Sequence, residues 1–307
     1  MRTQTGIIFQ AKSGFYSIWS NGKTYISKPK GLFRHHQQSP LVGDIVTFEF
    51  DEKHPKSESR LIEIKERANE FIRPSIANVD EALVVMSLVE PDFSESLLDY
   101  YLVNAEQYGV KCQIILSKYD LLIDRVGQLA AQAQVEHIQS VYTQIGYPVE
   151  VFDNSQQTAQ RIRANIHEGL YVVMGQSGVG KSTLLNALIP TAQIDTRPIS
   201  DALNRGRHTT REVTLYPINQ GLIADTPGFS AIDFDQIEVE SLAHYFPEID
   251  EAALYCKFRS CLHLKEPGCY VKEQVENQKI SKSRYESYLS IAQRIMQRKP
   301  KYLRKNK

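Results

Sequence analysis

The feature that most constrains this chain is an apolar run followed at once by a glycine loop and a helix opening. Leu170-Tyr171-Val172-Val173-Met174 has the length and character of a buried strand. Gly175-Gln176-Ser177-Gly178-Val179-Gly180-Lys181-Ser182 then matches the full G-x-x-x-x-G-K-[ST] phosphate-binding pattern. Thr183-Leu184-Leu185-Asn186-Ala187-Leu188-Ile189 continues as a helix. In this order the glycines let backbone N–H groups wrap phosphates, and the helix N-terminus adds partial positive charge. Lys181 is placed to reach the β- and γ-phosphates, and the Ser182 hydroxyl to hold Mg²⁺. The plain alternative, an incidental glycine turn, is disfavoured by the strand and helix on either side.

The segments upstream alternate in kind. Glu81 to Ser87 and Val110 to Leu116 read as buried parallel strands, and Tyr147 to Phe152 as a third. Between them, Ser96 to Tyr108, about Leu121 to Gln144, and Thr158 to His167 read as helices. This order predicts a doubly wound α/β domain that binds its ligand at the carboxyl ends of the strands. Downstream, Glu212 to Pro217 and Gly221 to Ala224 read as two paired strands. The second runs into Asp225-Thr226-Pro227-Gly228. Asp225 is the expected second Mg²⁺ anchor, and the Gly228 N–H can approach a γ-phosphate. The stretch Gly206-Arg207-His208-Thr209-Thr210-Arg211 between P-loop and D-x-x-G has the makings of a switch. Thr209 and Thr210 are candidates to hold Mg²⁺ and γ-phosphate, with Thr210 preferred.

Base selection points to Ser117-Lys118-Tyr119-Asp120, which follows the strand ending at Leu116. A carboxylate there accepts two hydrogen bonds from guanine N1 and its 2-amino group, which adenine does not offer. The run is similar to the N-K-x-D guanine motif of GTPases, with Ser117 in place of Asn. In ordinary GTPases this motif follows the P-loop and D-x-x-G. Here it precedes both, the order of a circular permutation.

Two further regions flank this domain. Residues 1 to about 70 hold five short alternating runs and an Asn21-Gly22 hairpin turn, which fits an OB-type β-barrel. Lys28, Lys30, Phe33, Arg34, His35 and His36 fall in one connection and suit phosphate contact with base stacking. A barrel used only for protein contacts is the alternative. Beyond the nucleotide domain, Cys256-x4-Cys261-x-His263-x5-Cys269 offers three thiolates and one imidazole, a closed tetrahedral zinc set. Structural thiols or a disulfide fit three Cys and a His less well, and His244 is read as a surface or packing residue. The metal would staple a domain too small to fold alone. The expected domains are therefore 1–70 (barrel), 71–235 (permuted nucleotide domain) and 236–307 (helical zinc domain with a basic tail).

Charge sharpens the last region. The chain has 36 basic and 36 acidic residues, yet from Lys279 to the end ten Lys or Arg stand against Glu286 alone. Such a tail suits a polyanionic partner, or is a solvated end. No apolar run reaches the roughly 18 residues of a membrane span, and the first residues lack a signal-peptide pattern. The expectation is a cytoplasmic monomer with no membrane partner.

Taken together, the permuted order, G-Q-S-G-V-G-K-S, G-R-H-T-T, D-T-P-G-F and C-x4-C-x-H-x5-C resemble the ribosome small-subunit-dependent GTPase A family (RsgA, also called YjeQ). The resemblance spans nearly the whole chain. It implies an OB-fold, a permuted GTPase domain and a zinc domain. It also implies GTP hydrolysis stimulated by the small ribosomal subunit, and a role in late subunit maturation through rRNA contact. Two departures stand out. Ser117, shorter than Asn, is expected to alter nucleotide affinity while Asp120 keeps guanine discrimination. The fifth GTPase motif is degenerate and falls loosely at Asp153 to Ser155. Phe229 occupies the place of the water-orienting glutamine of Ras-like enzymes, so unassisted turnover should be slow. His208 is the candidate for positioning the water, with an rRNA or solvent contact as its alternative. Two rival classes remain open: a small-molecule P-loop kinase or ATPase, and an RNA-binding scaffold that senses GTP without hydrolysing it.

Overall fold

The computed structural model describes residues 2–29, 39–52, 58–72, 74–192, 213–225, 232 and 234–298. Five strands open the chain: β1 (Arg2–Lys12), β2 (Phe15–Ser20), β3 (Lys23–Pro29), β4 (Ile45–Phe50) and β5 (Ser59–Ile64). β1 pairs antiparallel with both β2 and β4, β2 with β3, and β4 with β5. β3 and β5 pair in parallel and complete the circuit. The sheet thus closes on itself, as an OB-type barrel does. Period-two alternation fills it: Ile8, Ile18, Phe48 and Leu61 are fully buried. Tyr25 tilts against Phe48 and Phe50, at 4.8 and 5.0 Å between ring centres.

A hairpin of β6 (Glu70–Ile72) and β7 (Ser75–Ala77) follows, where the sequence marks only a boundary at Pro74. Strands of three residues are too short to show a period. Arg67 pins this junction to the barrel. Its guanidinium reaches both oxygens of the buried Asp44, at 2.7 and 2.8 Å, and also bonds Glu70.

The central domain comprises β8 (Glu81–Ser87), α1 (Glu95–Glu106), β9 (Lys111–Ser117), α2 (Tyr119–Val126), α3 (Gln128–Gln144), β10 (Val149–Phe152) and α4 (Gln156–Ala164). It continues with β11 (Leu170–Met174), α5 (Lys181–Leu188), β12 (Thr214–Ile218) and β13 (Gly221–Asp225). The strand order is β10-β9-β8-β11-β13-β12, parallel except for β12. Along β8, Ala82, Val84 and Met86 join the core that includes Leu98 of α1 and Ile138 of α3. Leu83 and Val85 join the opposite core with Ile162 of α4 and Leu184 of α5. Burial on both faces is why these strands read as continuous apolar runs. The single helix expected over about 121 to 144 is two helices, because Gly127 sits at φ 84°, ψ 157°, outside the helical region. Ser94 starts α1 by accepting the Leu97 N–H at 3.2 Å.

Barrel and nucleotide domain are not separate bodies on a string. β1 also pairs with β12, Gln10 opposite Thr214. Ile8 and Ile18 of the barrel share one core with Val213, Leu215 and Ala224.

The C-terminal part has a 3-10 turn (Val239–Tyr245), α6 (Pro247–Ala253), α7 (Tyr270–Glu276) and α8 (Lys282–Met296). Its core of Leu242, Phe246, Ile249, Val271 and Ile291 also takes in Tyr100 and Val103 of α1. Across that seam Arg284 of α8, 1 % exposed, bonds Asp99 of α1 at 2.7 Å and Glu248 at 2.7 and 3.0 Å. Tyr142 of α3 donates to the same Asp99 oxygen at 2.8 Å. Burial works against the guanidinium's charge, but Asp99 and Glu248 hold it well above its ordinary pKa. The basic end of the chain is therefore not uniformly solvated: Arg284 is a buried tie between two domains. Among the described residues, no helix is long and apolar enough to cross a membrane.

Candidate functional site

The P-loop lies between β11 and α5, in the middle of the sheet, and its shape follows from its glycines. Gly175 sits at φ 141°, and a Cβ there would meet the Val85 carbonyl oxygen at 2.3 Å, so no side chain fits. Ser177 and Gly178 are exposed at the crest of the loop, Gln176 and Gly180 are half-buried, and Val179 is buried beneath it. The ammonium of Lys181 lies within the curl and donates to the carbonyls of Gly175 and Gln176, at 2.8 and 2.6 Å. Burial pushes its pKa down to about 8, against the pull of Asp225. An anion in the loop would therefore gain a desolvated cation.

The other predicted residues arrive by topology. β9, β11 and β13 run in parallel, so Ser117, Gly175 and Asp225 all stand at carboxyl ends of the strands, the usual ligand edge of such a sheet. Asp225 is half-buried, and burial raises its pKa while Lys181 lowers it. Ser182 and Thr183 follow in the first turn of α5. For Mg²⁺, a hydroxyl from Ser182 and a carboxylate from Asp225 form a hard oxygen donor set that fits the ion.

Ser117 does something its sequence position does not reveal. It is 2 % exposed, and its hydroxyl donates to the Val179 carbonyl at 2.6 Å, with the Met86 carbonyl at 3.3 Å. The Ser117–Asp120 run is thereby tied to the P-loop across 62 residues of chain. From the sequence, a short serine is not expected to offer Asn-like contacts to base and P-loop together. The P-loop contact is present, and the single proton of the hydroxyl is used in making it. Lys118 caps α2 in the left-handed region, at φ 61°, and donates to the Glu90 carbonyl. Asp120 lies in the first turn of α2, and its Oδ1 is buried with no hydrogen-bond partner among the described residues. An orphaned carboxylate oxygen at the ligand edge fits a base that presents N–H groups.

The loop placed at Asp153 to Ser155 follows β10, whose Phe152 pairs with Ser117. Asp153 accepts from the Ser155 N–H at 3.0 Å and the Thr158 hydroxyl at 2.7 Å, and Ser155 caps α4. Despite partial burial, these bonds hold the Asp153 carboxyl below its usual range. His208, Thr209, Thr210, Thr226, Gly228 and Phe229 lie outside the described residues, as do Lys30, Phe33, Arg34, His35 and His36. Lys28 is described: its ammonium sits 4.4 Å over the Phe15 ring and pairs with Glu58.

The cysteine cluster assembles as its spacing implies. The donor atoms of Cys256, Cys261, His263 and Cys269 all lie within 4.8 Å of one another. His263 Nδ1 is 3.6 Å from Cys256 Sγ and 3.5 Å from Cys269 Sγ, and those two sulfurs are 4.0 Å apart. A tetrahedral ion with bonds of about 2.3 Å to sulfur and about 2.1 Å to nitrogen sets S···N pairs about 3.6 Å and S···S pairs about 3.8 Å apart. The residues therefore fit a metal ion, and a soft S₃N set fits zinc. The Tyr285 and Tyr288 hydroxyls brace the ligand loop by donating to the carbonyls of His263 and Leu262, at 2.6 and 2.9 Å. His244 pairs with Asp250 at 2.6 Å, exposed and outside the cluster.

Two residues with structural reach, Asp99 and Tyr100, carry no signal in the sequence, and Arg298 shows there only as one charge of the basic tail. Each acts between segments far apart in the chain, and no local spacing marks such a contact.

Comparison with known proteins gives the chain its family and agrees with its fold. Residues 64–235 match the family model described as RsgA GTPase, and residues 5–55 the model described as RsgA N-terminal domain. A protein of Enterococcus faecalis named small ribosomal subunit biogenesis GTPase RsgA is 47 % identical, over 98 % of this chain and 98 % of its own. Its namesake in Staphylococcus carnosus is 45 % identical, over 97 % and 100 %. Among solved structures, YloQ, described as a circularly permuted GTPase, superposes with a TM-score of 0.81 at 38 % identity, covering 98 % of both chains. YjeQ of Thermotoga maritima superposes with a TM-score of 0.83 at 29 % identity, covering 97 % of this chain and all of its own.

Proposed function

Because the chain belongs to the RsgA family of circularly permuted GTPases, we infer that it hydrolyses GTP to GDP and phosphate in the biogenesis of the small ribosomal subunit. The observation that carries the base is the buried Oδ1 of Asp120, which has no partner among the described residues, on a helix whose preceding strand is bonded to the P-loop through Ser117 and Val179. Guanine supplies two N–H groups to such a carboxylate, and adenine supplies none in that pattern.

Residue roles follow from the same layout. Backbone N–H groups from Gly175 to Ser182 cradle the phosphates, and Gln176, Ser177, Gly178, Val179, Gly180 and Thr183 belong to that cradle. Lys181 bears on the β- and γ-phosphates, where charge builds as the bond breaks. Ser182 and Asp225 would hold Mg²⁺, which neutralises phosphate charge when bound. Thr210 would join Ser182 and Asp225 on Mg²⁺, Thr210 and Gly228 would close on the γ-phosphate, and His208 would orient the attacking water. Ser117 and Lys118 support the base pocket, and Asp120 reads the base.

The division into 1–70, 71–235 and 236–307 separates the work of the chain. Barrel and zinc domain grip the subunit and its rRNA, and the middle domain turns over GTP. A structural Zn²⁺ on Cys256, Cys261, His263 and Cys269 completes the third part. A monomer in the cytoplasm, without membrane contact, suits a ribosomal partner.

Phosphate release with and without purified small subunits tests this reading, run for wild type and Asp120→Ala on GTP and ATP. Stimulated release specific to GTP, lost in Asp120→Ala, is expected. Equal use of ATP with no effect of Asp120→Ala would refute the guanine assignment. No release with subunits present would leave a GTP-sensing scaffold.

A further inference from the structure

We propose that Arg298 is a positioning residue for GTP hydrolysis, acting from the end of the C-terminal helix on the segment that leaves D-x-x-G. This rests on the GTPase reading above. Arg298 lies just beyond α8, and its guanidinium crosses to the stretch between D-x-x-G and the 3-10 turn. Nη1 donates to the carbonyls of Phe234, Asp235 and Ile237, at 3.2, 2.5 and 3.3 Å. Nη2 donates to Glu238 at 3.2 Å. The two N–H groups of Nη1 are thus shared among three carbonyls, and the positive charge strengthens each contact.

The same stretch also makes aromatic and apolar contacts. Phe234 meets Tyr100 of α1 edge-on, at 5.6 Å between ring centres. The Tyr100 hydroxyl bonds Ser290 of α8 at 2.6 Å, and the Arg294 guanidinium lies 4.6 Å over the Tyr100 ring. Ile237 is 1 % exposed in the C-terminal core. Ile232, four residues beyond Gly228 in sequence, packs against both the nucleotide-domain core and the C-terminal core. The stretch from Phe234 to Glu238, which follows D-x-x-G in the chain, is therefore held against α1 and α8, with Arg298 as its polar bolt.

A glycine that must meet a γ-phosphate has to be delivered in one geometry. Each residue left free at its far end adds an ordering cost on the way to the transition state. Arg298 removes that freedom without touching nucleotide or water. It makes the metal-site domain part of the catalytic apparatus as well as a handle for a partner. The rival role for an arginine at the head of a basic tail is a plain phosphate contact, and that role moves different quantities.

The test measures phosphate release at saturating GTP across a titration of small subunits, subunit-free turnover, and the Kd of a fluorescent GDP. The proteins are wild type, Arg298→Ala and Arg298→Lys, each checked for metal content and melting. Arg298→Ala is expected to lower kcat about two- to thirtyfold, with and without subunits, the range of a residue that acts through others. The GDP Kd should stay within about twofold, and Arg298→Lys should recover part of the rate, because an ammonium keeps the charge and three donors for the carbonyls but not the guanidinium's second nitrogen on Glu238. An unchanged kcat, or a higher subunit concentration for half-activation as the sole effect, overturns the proposal. If Arg298→Ala does not fold, Arg298→Gln decides: its amide satisfies fewer of the carbonyls, so the same kcat loss is expected, and wild-type kcat overturns the proposal. A wild type that never releases phosphate refutes the GTPase reading and this inference with it, whereas active variants beside an active wild type refute Arg298 alone.

Discussion

Replacing Ser117 with alanine removes one buried oxygen and probes how the base pocket and the P-loop are joined. The hydroxyl is 2 % exposed and donates to the Val179 carbonyl at 2.6 Å. Losing it leaves a buried carbonyl short of a donor, at a cost of about 1–3 kcal/mol. Part of that cost falls on stability and part on binding, and the loop decides the split. Val179 stands between Gly178 and Gly180, at φ 84° and 94°. Without its tether this turn gains backbone freedom, and re-ordering costs about 1–2 kcal/mol per residue. A binding loss of about 1–3 kcal/mol raises Kd about five- to 150-fold. Fluorescent GDP titration reads this directly, and an inosine nucleotide in parallel reports the base. The loss should be the same for guanine and inosine nucleotides, because Asp120 is untouched. An unchanged Kd with a lower Tm would refute the reasoning and make Ser117 a packing residue. A collapse of the guanine-to-inosine ratio would also refute it, by placing the hydroxyl on the base.

Nucleotide affinity should also depend on pH through Lys181, whose pKa is about 8 before phosphate binds. Bound phosphate raises that value, so affinity is full below about pH 8 and falls as pH rises through it, by up to tenfold per unit. GDP titrations from about pH 7 to about 9.5 check this, and Lys181→Arg should flatten the profile. Arg284→Ala strands Asp99 and Glu248 in the seam between α1 and α8 and should destabilise the protein by about 3–5 kcal/mol in denaturant unfolding. The double variant with Asp99→Ala should lose less than the sum of the single losses. Stripping the metal with a chelator, or Cys261→Ser, should lower the melting temperature of the C-terminal part. GDP affinity, whose residues lie elsewhere, should stay within about twofold.

The nucleotide apparatus is legible because its chemistry is local. Strand, glycines, lysine and serine must be neighbours to wrap a phosphate, so the stretch from Leu170 to Ile189 declares itself in any reading of the residues. The four metal donors are legible for the same reason, lying within 14 consecutive positions, from Cys256 to Cys269. The doubly buried strands and the barrel's alternating runs report which faces meet a core, which is again a property of short windows. The β6–β7 hairpin and the break at Gly127 are not legible, because three-residue strands carry no period and one glycine does not always interrupt a helix.

The inventory is written in the sequence: the P-loop, the candidate base-reading run upstream of it, the candidate metal donors downstream, and the permuted order that links them. Tertiary structure decided how these parts are held to one another. Ser117 meets Val179, Arg284 meets Asp99 across 185 positions, Thr214 pairs beside Gln10 of the barrel's β1, and Arg298 gathers three carbonyls beyond D-x-x-G. The physical reason is that a hydrogen bond between distant segments depends on where the whole chain folds. A serine or an arginine looks the same in sequence whether it faces water or a buried carbonyl.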